Sequence, residues 1–136
     1  MTQESIQRLK EMGIVTTSQR IEILDLIKNT DTHPTAEEVY HLVKERFPTI
    51  SLATVYNILE KFVEVGEVRQ LSIRREKACF DGQTHTHHHF YCNKCKKISN
   101  VEIACPVAKS EHVCGHNVEE LQAYFYGVCQ GCLKKG

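Results

Sequence analysis

Two cysteine pairs, Cys92-Asn-Lys-Cys95 and Cys129-Gln-Gly-Cys132, constrain this chain more than any other feature. A pair at this spacing brings two thiolates to one ion from a tight turn, and two pairs complete a closed tetrahedral Zn²⁺ site. With no ligand position left open, such a site is structural. The spacing therefore assigns Cys92, Cys95, Cys129 and Cys132 to structural zinc. The competing use is a thiol oxidoreductase with two dithiol sites, but neither pair is expected to open a helix that would lower a thiol pKa. Seven cysteines are present, and an odd count with this spacing favours metal over a disulfide framework. Cys79, Cys105 and Cys114 stay unassigned. His112 and His116 lie near the last two, so a third metal site is an alternative there to buried thiols.

A second group of ligand-type residues lies at the sequence centre. His85-Thr-His87-His-His89 puts His85, His87 and His89 on one face of an extended segment, with Asp81 just upstream. Imidazoles beside a carboxylate form a mixed nitrogen and oxygen set suited to Fe²⁺, Mn²⁺, Zn²⁺ or Ni²⁺.

Upstream of this group the pattern is helical. Ile6, Leu9 and Met12 share a face before Gly13. Thr17 caps a helix with Ile21, Leu24 and Ile27 or Leu26 inside. Thr35 and Glu38 form a capping box ahead of Val39, Leu42 and Val43. Ser51 caps a fourth helix whose inner residues are Val55, Leu59, Phe62 and Val63. From Glu67 the period changes to two, with Leu71 and Ile73 alternating against Gln70 and Ser72, then the charged turn Arg74 to Lys77, then Ala78 to Asp81. That is a β-hairpin. The order of elements is that of a winged helix-turn-helix over residues 1–81. A hinge is expected at 82–84 and a small zinc-stapled α/β domain at 85–136, with strands at Phe90-Tyr91, Ile98 to Ile103 and Leu121 to Val128. Residues 106–116 are expected to be helical or irregular. The fold class is α+β.

Ser51, Thr54, Asn57 and Lys61 share one face of the fourth helix, flanked by Tyr56. Hydroxyls and a lysine suit phosphate oxygens, and an asparagine can make a bidentate contact to adenine in the major groove. Such a face on its own is equally an ordinary solvated one. Its position decides, because a helix just before a hairpin tipped with Arg74 and Arg75 is where a winged helix carries its reader and its phosphate-touching wing. Bulk charge gives no help. Lys+Arg and Asp+Glu are both 17, and residues 1–81 hold 11 basic and 13 acidic side chains, a net of 11 − 13 = −2. Any DNA-binding surface must therefore be local. No apolar run approaches the roughly 20 residues that span a bilayer, and the opening residues are not those of a secretory signal. No membrane partner and a cytoplasmic location are expected.

Taken together, these residues resemble the ferric uptake regulator (Fur) superfamily from about Met12 to Cys132. The motifs are Thr17-Ser-Gln-Arg20, His33-Pro-Thr-Ala-Glu-Glu38, Ser51-Leu-Ala-Thr-Val-Tyr56, the His87-His-His89 run before Cys92-x-x-Cys95, and Gly127-Val-Cys129-x-x-Cys132. The resemblance implies a repressor rather than an enzyme, a homodimer that binds an inverted-repeat, double-stranded operator when a regulatory Fe²⁺ or Mn²⁺ is bound. It implies that His33, Asp81, His87, His89 and the position of Asn100 hold that ion between the two domains. The family carries Asp where this chain has Asn100. The PerR-type, peroxide-sensing branch is closest, since it has Asp at position 81 and Asn at position 57, and it implies His33 and His87 as the oxidation targets. The zinc-sensing branch has Cys at position 81, and here Cys79 stands two residues earlier. A regulator of iron, manganese or zinc homeostasis is the alternative on the same scaffold.

Overall fold

The computed structural model describes residues 2–74, 76–83, 87–102, 112–119 and 121–135. The chain divides into two compact units, Met1–Thr84 and His85–Gly136.

In the first unit the second, third and fourth helices each begin at a residue whose hydroxyl satisfies a free N–H group. Helix α1 spans Thr2–Glu11 and ends at Gly13, whose φ of 71° lets Ile14 N return to Leu9 O at 2.9 Å. Helix α2 spans Ser18–Lys28, with the Thr17 hydroxyl accepting from Arg20 N. Helix α3 spans Ala36–Lys44, with Thr35 accepting from Glu38 N. Helix α4 spans Leu52–Glu64, with Ser51 accepting from Thr54 N. Their inner faces bury Leu9, Ile23, Leu24, Ile27, Val39, Val43, Val55, Leu59 and Phe62. Truncating Phe62 to alanine in such a core costs about 3–5 kcal/mol.

The inner stripe differs from expectation at four residues. Leu42 is 53% exposed, because Ala36, Val39 and Val43 with half-buried Tyr40 already fill the inner side of α3. Ile23 and Ile58 are buried, and Val63 only partly so.

Strands β1 (Arg69–Leu71) and β2 (Cys79–Asp81) pair antiparallel, Arg69 opposite Asp81 and Leu71 opposite Cys79. The segment before α3 adds to this hairpin. Thr35 bridges to Cys79, and Phe80 N donates to Pro34 O at 2.9 Å.

In the second unit β3 (His88–Cys92) lies between β4 (Ile98–Val101) and β7 (Tyr124–Gly127), antiparallel to β4 and parallel to β7. Strands β5 (His112–Val113) and β6 (His116–Asn117) form a separate hairpin. This corrects the helical or irregular reading at its C-terminal end. Cys114 and Gly115, at φ of 52° and 82°, both adopt the left-handed region that a two-residue hairpin turn requires. Residues 103–111, including Cys105, lie outside the described residues. Helix α5 spans Gln130–Lys134. Among the described residues no helix is long and apolar enough to cross a membrane.

Candidate metal centres and nucleic-acid face

The four paired cysteines converge in the second unit. Cys92 is the last residue of β3, and the register that sets Cys92 opposite Gly127 brings Cys129 alongside it. The Sγ atoms lie within 4.8 Å of one another, with Cys92–Cys132 and Cys95–Cys129 each at 3.8 Å. A Zn–S bond of about 2.3 Å gives a tetrahedral edge of about 3.8 Å, so the four sulfurs fit one zinc ion. Backbone donors are aimed at them. Cys129 N and Cys95 N donate to Cys92 Sγ at 3.3 and 3.4 Å, and Cys132 N donates to Cys129 Sγ at 3.4 Å. The N–H groups of Cys129 and then Cys95 lower the Cys92 thiol to about 6, while a hydrogen bond with Cys129 raises Cys132 to about 12. Thus one thiolate is already favoured at neutral pH, and closing the set requires an ion that displaces the remaining protons. One expectation fails here. Cys129 is the N-cap of α5, so one pair does open a helix, though a short one.

Each unit also carries part of the histidine and carboxylate set. In the first, the Pro34-Thr35 pairing with β2 brings His33 Nε2 to 3.5 Å from Asp81 Oδ2. His33 sits at φ 55°, a left-handed position that histidine tolerates better than most residues. Asp81 Oδ1 accepts from Gln83 N at 2.9 Å. In the second, the His87 and His89 rings lie 4.5 Å apart. Asn100 is directly opposite His89 in the β3–β4 register, so the two side chains leave the same face of the sheet. His85 lies outside the described residues.

The face of α4 is assembled as its spacing indicates, with one constraint that spacing does not reveal. Tyr56 donates its hydroxyl to Glu37 Oε1 on α3 at 3.0 Å, and this bond raises the Tyr56 pKa. Glu37 is held below its usual range by its own backbone N–H and, against burial, by Tyr56. Ser51 and Thr54 hydroxyls meet at 2.9 Å while Ser51 caps the helix. Thr54, Asn57 and Lys61 line a groove of about 260 Å³ with Thr17, Gln19 and Arg20 from the start of α2. Gln19 and Arg20 were not expected to share this face. The signal was their place in the Thr17-to-Arg20 motif, which sequence spacing alone leaves unconnected to α4. In the wing turn, Arg74 reaches back to the buried Cys79 thiol; burial raises that thiol and Arg74 partly offsets it. Arg75 lies outside the described residues. Cys114 and His116 are exposed and join no ligand cluster among the described residues.

Known proteins resemble this chain in sequence and in fold. A relative from Staphylococcus epidermidis, named peroxide-responsive repressor PerR, is 36% identical over 139 residues, spanning 98% of this chain and 91% of the relative. The solved Campylobacter jejuni peroxide stress regulator superposes with a TM-score of 0.70 at 28% identity, over 97% of this chain and 98% of that one. The Helicobacter pylori ferric uptake regulator Fur superposes with a TM-score of 0.75 at 20% identity, over 98% and 94%, which shows the common fold. Residues 11–126 match the ferric uptake regulator family as a whole. With a match over most of its length and a near full-length relative, the chain belongs to the ferric uptake regulator family.

Proposed function

We propose that this chain is a metal-dependent, DNA-binding transcriptional repressor that responds to peroxide. The observation that carries the reading is the pairing of His33 with Asp81 at the end of the wing strand, an imidazole and a carboxylate set against each other as ligands are. His87 and His89 supply the remaining nitrogens, and Asn100 a neutral amide oxygen. Cys92, Cys95, Cys129 and Cys132 hold structural zinc. The Staphylococcus epidermidis relative is named a repressor and the solved structures regulators, and the reading assigns the chain no turnover of its own.

The family resemblance implies that these ligands close on one ion, which makes that ion a conformational clamp. Its binding favours the arrangement in which two reading heads engage DNA, and only that differential affinity shifts the population. The partner is a second copy of the chain, for which Phe125, Tyr126 and Leu133 offer exposed apolar surface on the second unit. The operator is a double-stranded inverted repeat, matching the twofold axis of a dimer, and the protein works in the cytoplasm where that DNA lies. Ser51, Thr54, Tyr56, Asn57 and Lys61 face the groove, and Arg74 and Arg75 the phosphates. Bound Fe²⁺ would promote cleavage of the peroxide O–O bond, with one oxygen added to an imidazole and the other leaving as water, whereas Mn²⁺ would serve as a peroxide-resistant clamp. The imidazoles of His33 and His87 are the oxidation targets, and an oxidised ring ligates poorly.

The experiment is operator binding by the zinc-loaded protein, titrated anaerobically with Fe²⁺ and with Mn²⁺ before and after a peroxide pulse. Both metals are expected to promote binding, and peroxide to abolish only the Fe²⁺ form, with added oxygen on His33 or His87 by mass spectrometry. Insensitivity to peroxide with activation by a single metal would instead identify a regulator of iron, manganese or zinc homeostasis.

A further inference from the structure

The chain leaves Asp81 through Gly82, and Gly82 is held by a network that none of the assigned residues explains. Its carbonyl accepts from Lys28 Nζ at 2.8 Å. The same ammonium donates to Glu67 O at 3.0 Å and pairs with Glu67 Oε1 at 2.8 Å. Three acceptors match the three donors that an ammonium carries. Glu67 is itself fixed, taking Arg8 through Nε at 3.0 Å and through its terminal nitrogen at 2.5 Å. That two-point pairing is the geometrically specific form of an ion pair. Helix α1, the last residue of α2 and the base of the wing are thereby joined, with Gly82 as the final member. The backbone is also pressed onto α2, since a Cβ added at Gly82 would meet Ile27 O at 2.6 Å.

We propose that Lys28 is a positioning residue for the regulatory metal site: by holding the Gly82 carbonyl against the end of α2, it fixes the turn from which Asp81 presents its carboxylate. The proposal rests on the reading of Asp81 as a metal ligand. Asp81 shares that turn, with Oδ1 bound to Gln83 N and Oδ2 near His33. A ligand on a loose turn is competent for only part of the time, and apparent affinity falls by that fraction. Removing the support of a ligand typically weakens metal binding by about 10–100-fold.

The test uses the full-length, zinc-loaded protein, with Mn²⁺ and Co²⁺ as probes. The wild-type chain is expected to take up Co²⁺ beyond its zinc and show ligand-field absorption. If it takes up none, the ligand assignment itself fails, and the proposal with it. Lys28→Met keeps an apolar stem and removes every donor; it is expected to weaken Mn²⁺ about 10-fold and to shift the Co²⁺ bands. Lys28→Arg, which keeps a cation beside Glu67 and Gly82, is expected to restore most of both. Gly82→Ala, which lifts the turn off Ile27, is expected to reproduce the altered bands. A Lys28→Met protein that melts earlier yet keeps wild-type bands and Mn²⁺ affinity overturns the proposal, since Lys28 is then only structural. Should Lys28→Met not fold, unchanged Co²⁺ bands in Gly82→Ala overturn it equally.

Discussion

At the scale of single residues, two side chains decide how the candidate site behaves. Asn100 faces the same side of the sheet as His89 but brings an amide where the family resemblance implies a carboxylate. A neutral oxygen does little to balance a divalent charge, so Asn100→Asp is expected to tighten Mn²⁺ by about 10-fold, read by competition against a chelator of known affinity. Unchanged affinity would place Asn100 outside the ligand set. Glu67 is the second. Burial pushes its carboxyl up, but hydrogen bonds and charge from Arg8 and Lys28 outweigh this and hold it below its ordinary 4.5. A depressed folded-state pKa contributes stability that is fully present above the unfolded value and is lost as pH falls through the folded one. Glu67→Gln is therefore expected to cost about 1–3 kcal/mol at pH 7 and to make the acid limb below pH ~4.5 shallower. Urea unfolding across that range checks it; an acid limb as steep as the wild type's would count against the network.

At the scale of elements, what could be read from sequence was what local rules govern. Thr17, Thr35 and Ser51 each cap the helix assigned to them, because a hydroxyl three residues before a waiting N–H is a short-range relation. The cysteine cluster was legible for the same reason, its ligands declaring themselves by spacing. Leu42 was misplaced because apolar residues need not be buried, and the inner side of a nine-residue helix was already full. The hairpin over residues 112–117 and the Cys129 cap were missed because cysteine is not among the usual turn or cap residues, although here it serves as both. The nearness of His33 to Asp81 could come only from the family resemblance, since it depends on Thr35 bridging to Cys79 across a long stretch of chain. Thr35 thus has two tasks, capping α3 and holding the segment that presents His33. Thr35→Ala is expected to lower stability by about 1 kcal/mol, seen as an earlier thermal transition of the helical signal. No change would mean that Glu38 N finds an equivalent partner.

At the scale of the whole molecule, the two units differ in what holds them. The first buries a continuous apolar core of four helices and a hairpin. In the second, Cys92 and Ile98 are the only buried apolar side chains among the described residues. A unit of roughly 50 residues is small for an unaided core, whereas structural zinc supplies an apparent binding energy of about 10–16 kcal/mol in zinc-finger peptides. Chelating the zinc, or Cys95→Ser, is therefore expected to abolish the β-structure of residues 85–136 while the helical circular dichroism of the first unit survives. Loss should come more easily as pH falls, because protons compete for the thiolates. Operator binding should then fail by loss of the dimer rather than of the reading face. The surviving heads would keep only weak, salt-sensitive contact with DNA, carried by Lys61 and its neighbours. If chelation left the second unit folded, zinc would serve assembly instead of folding.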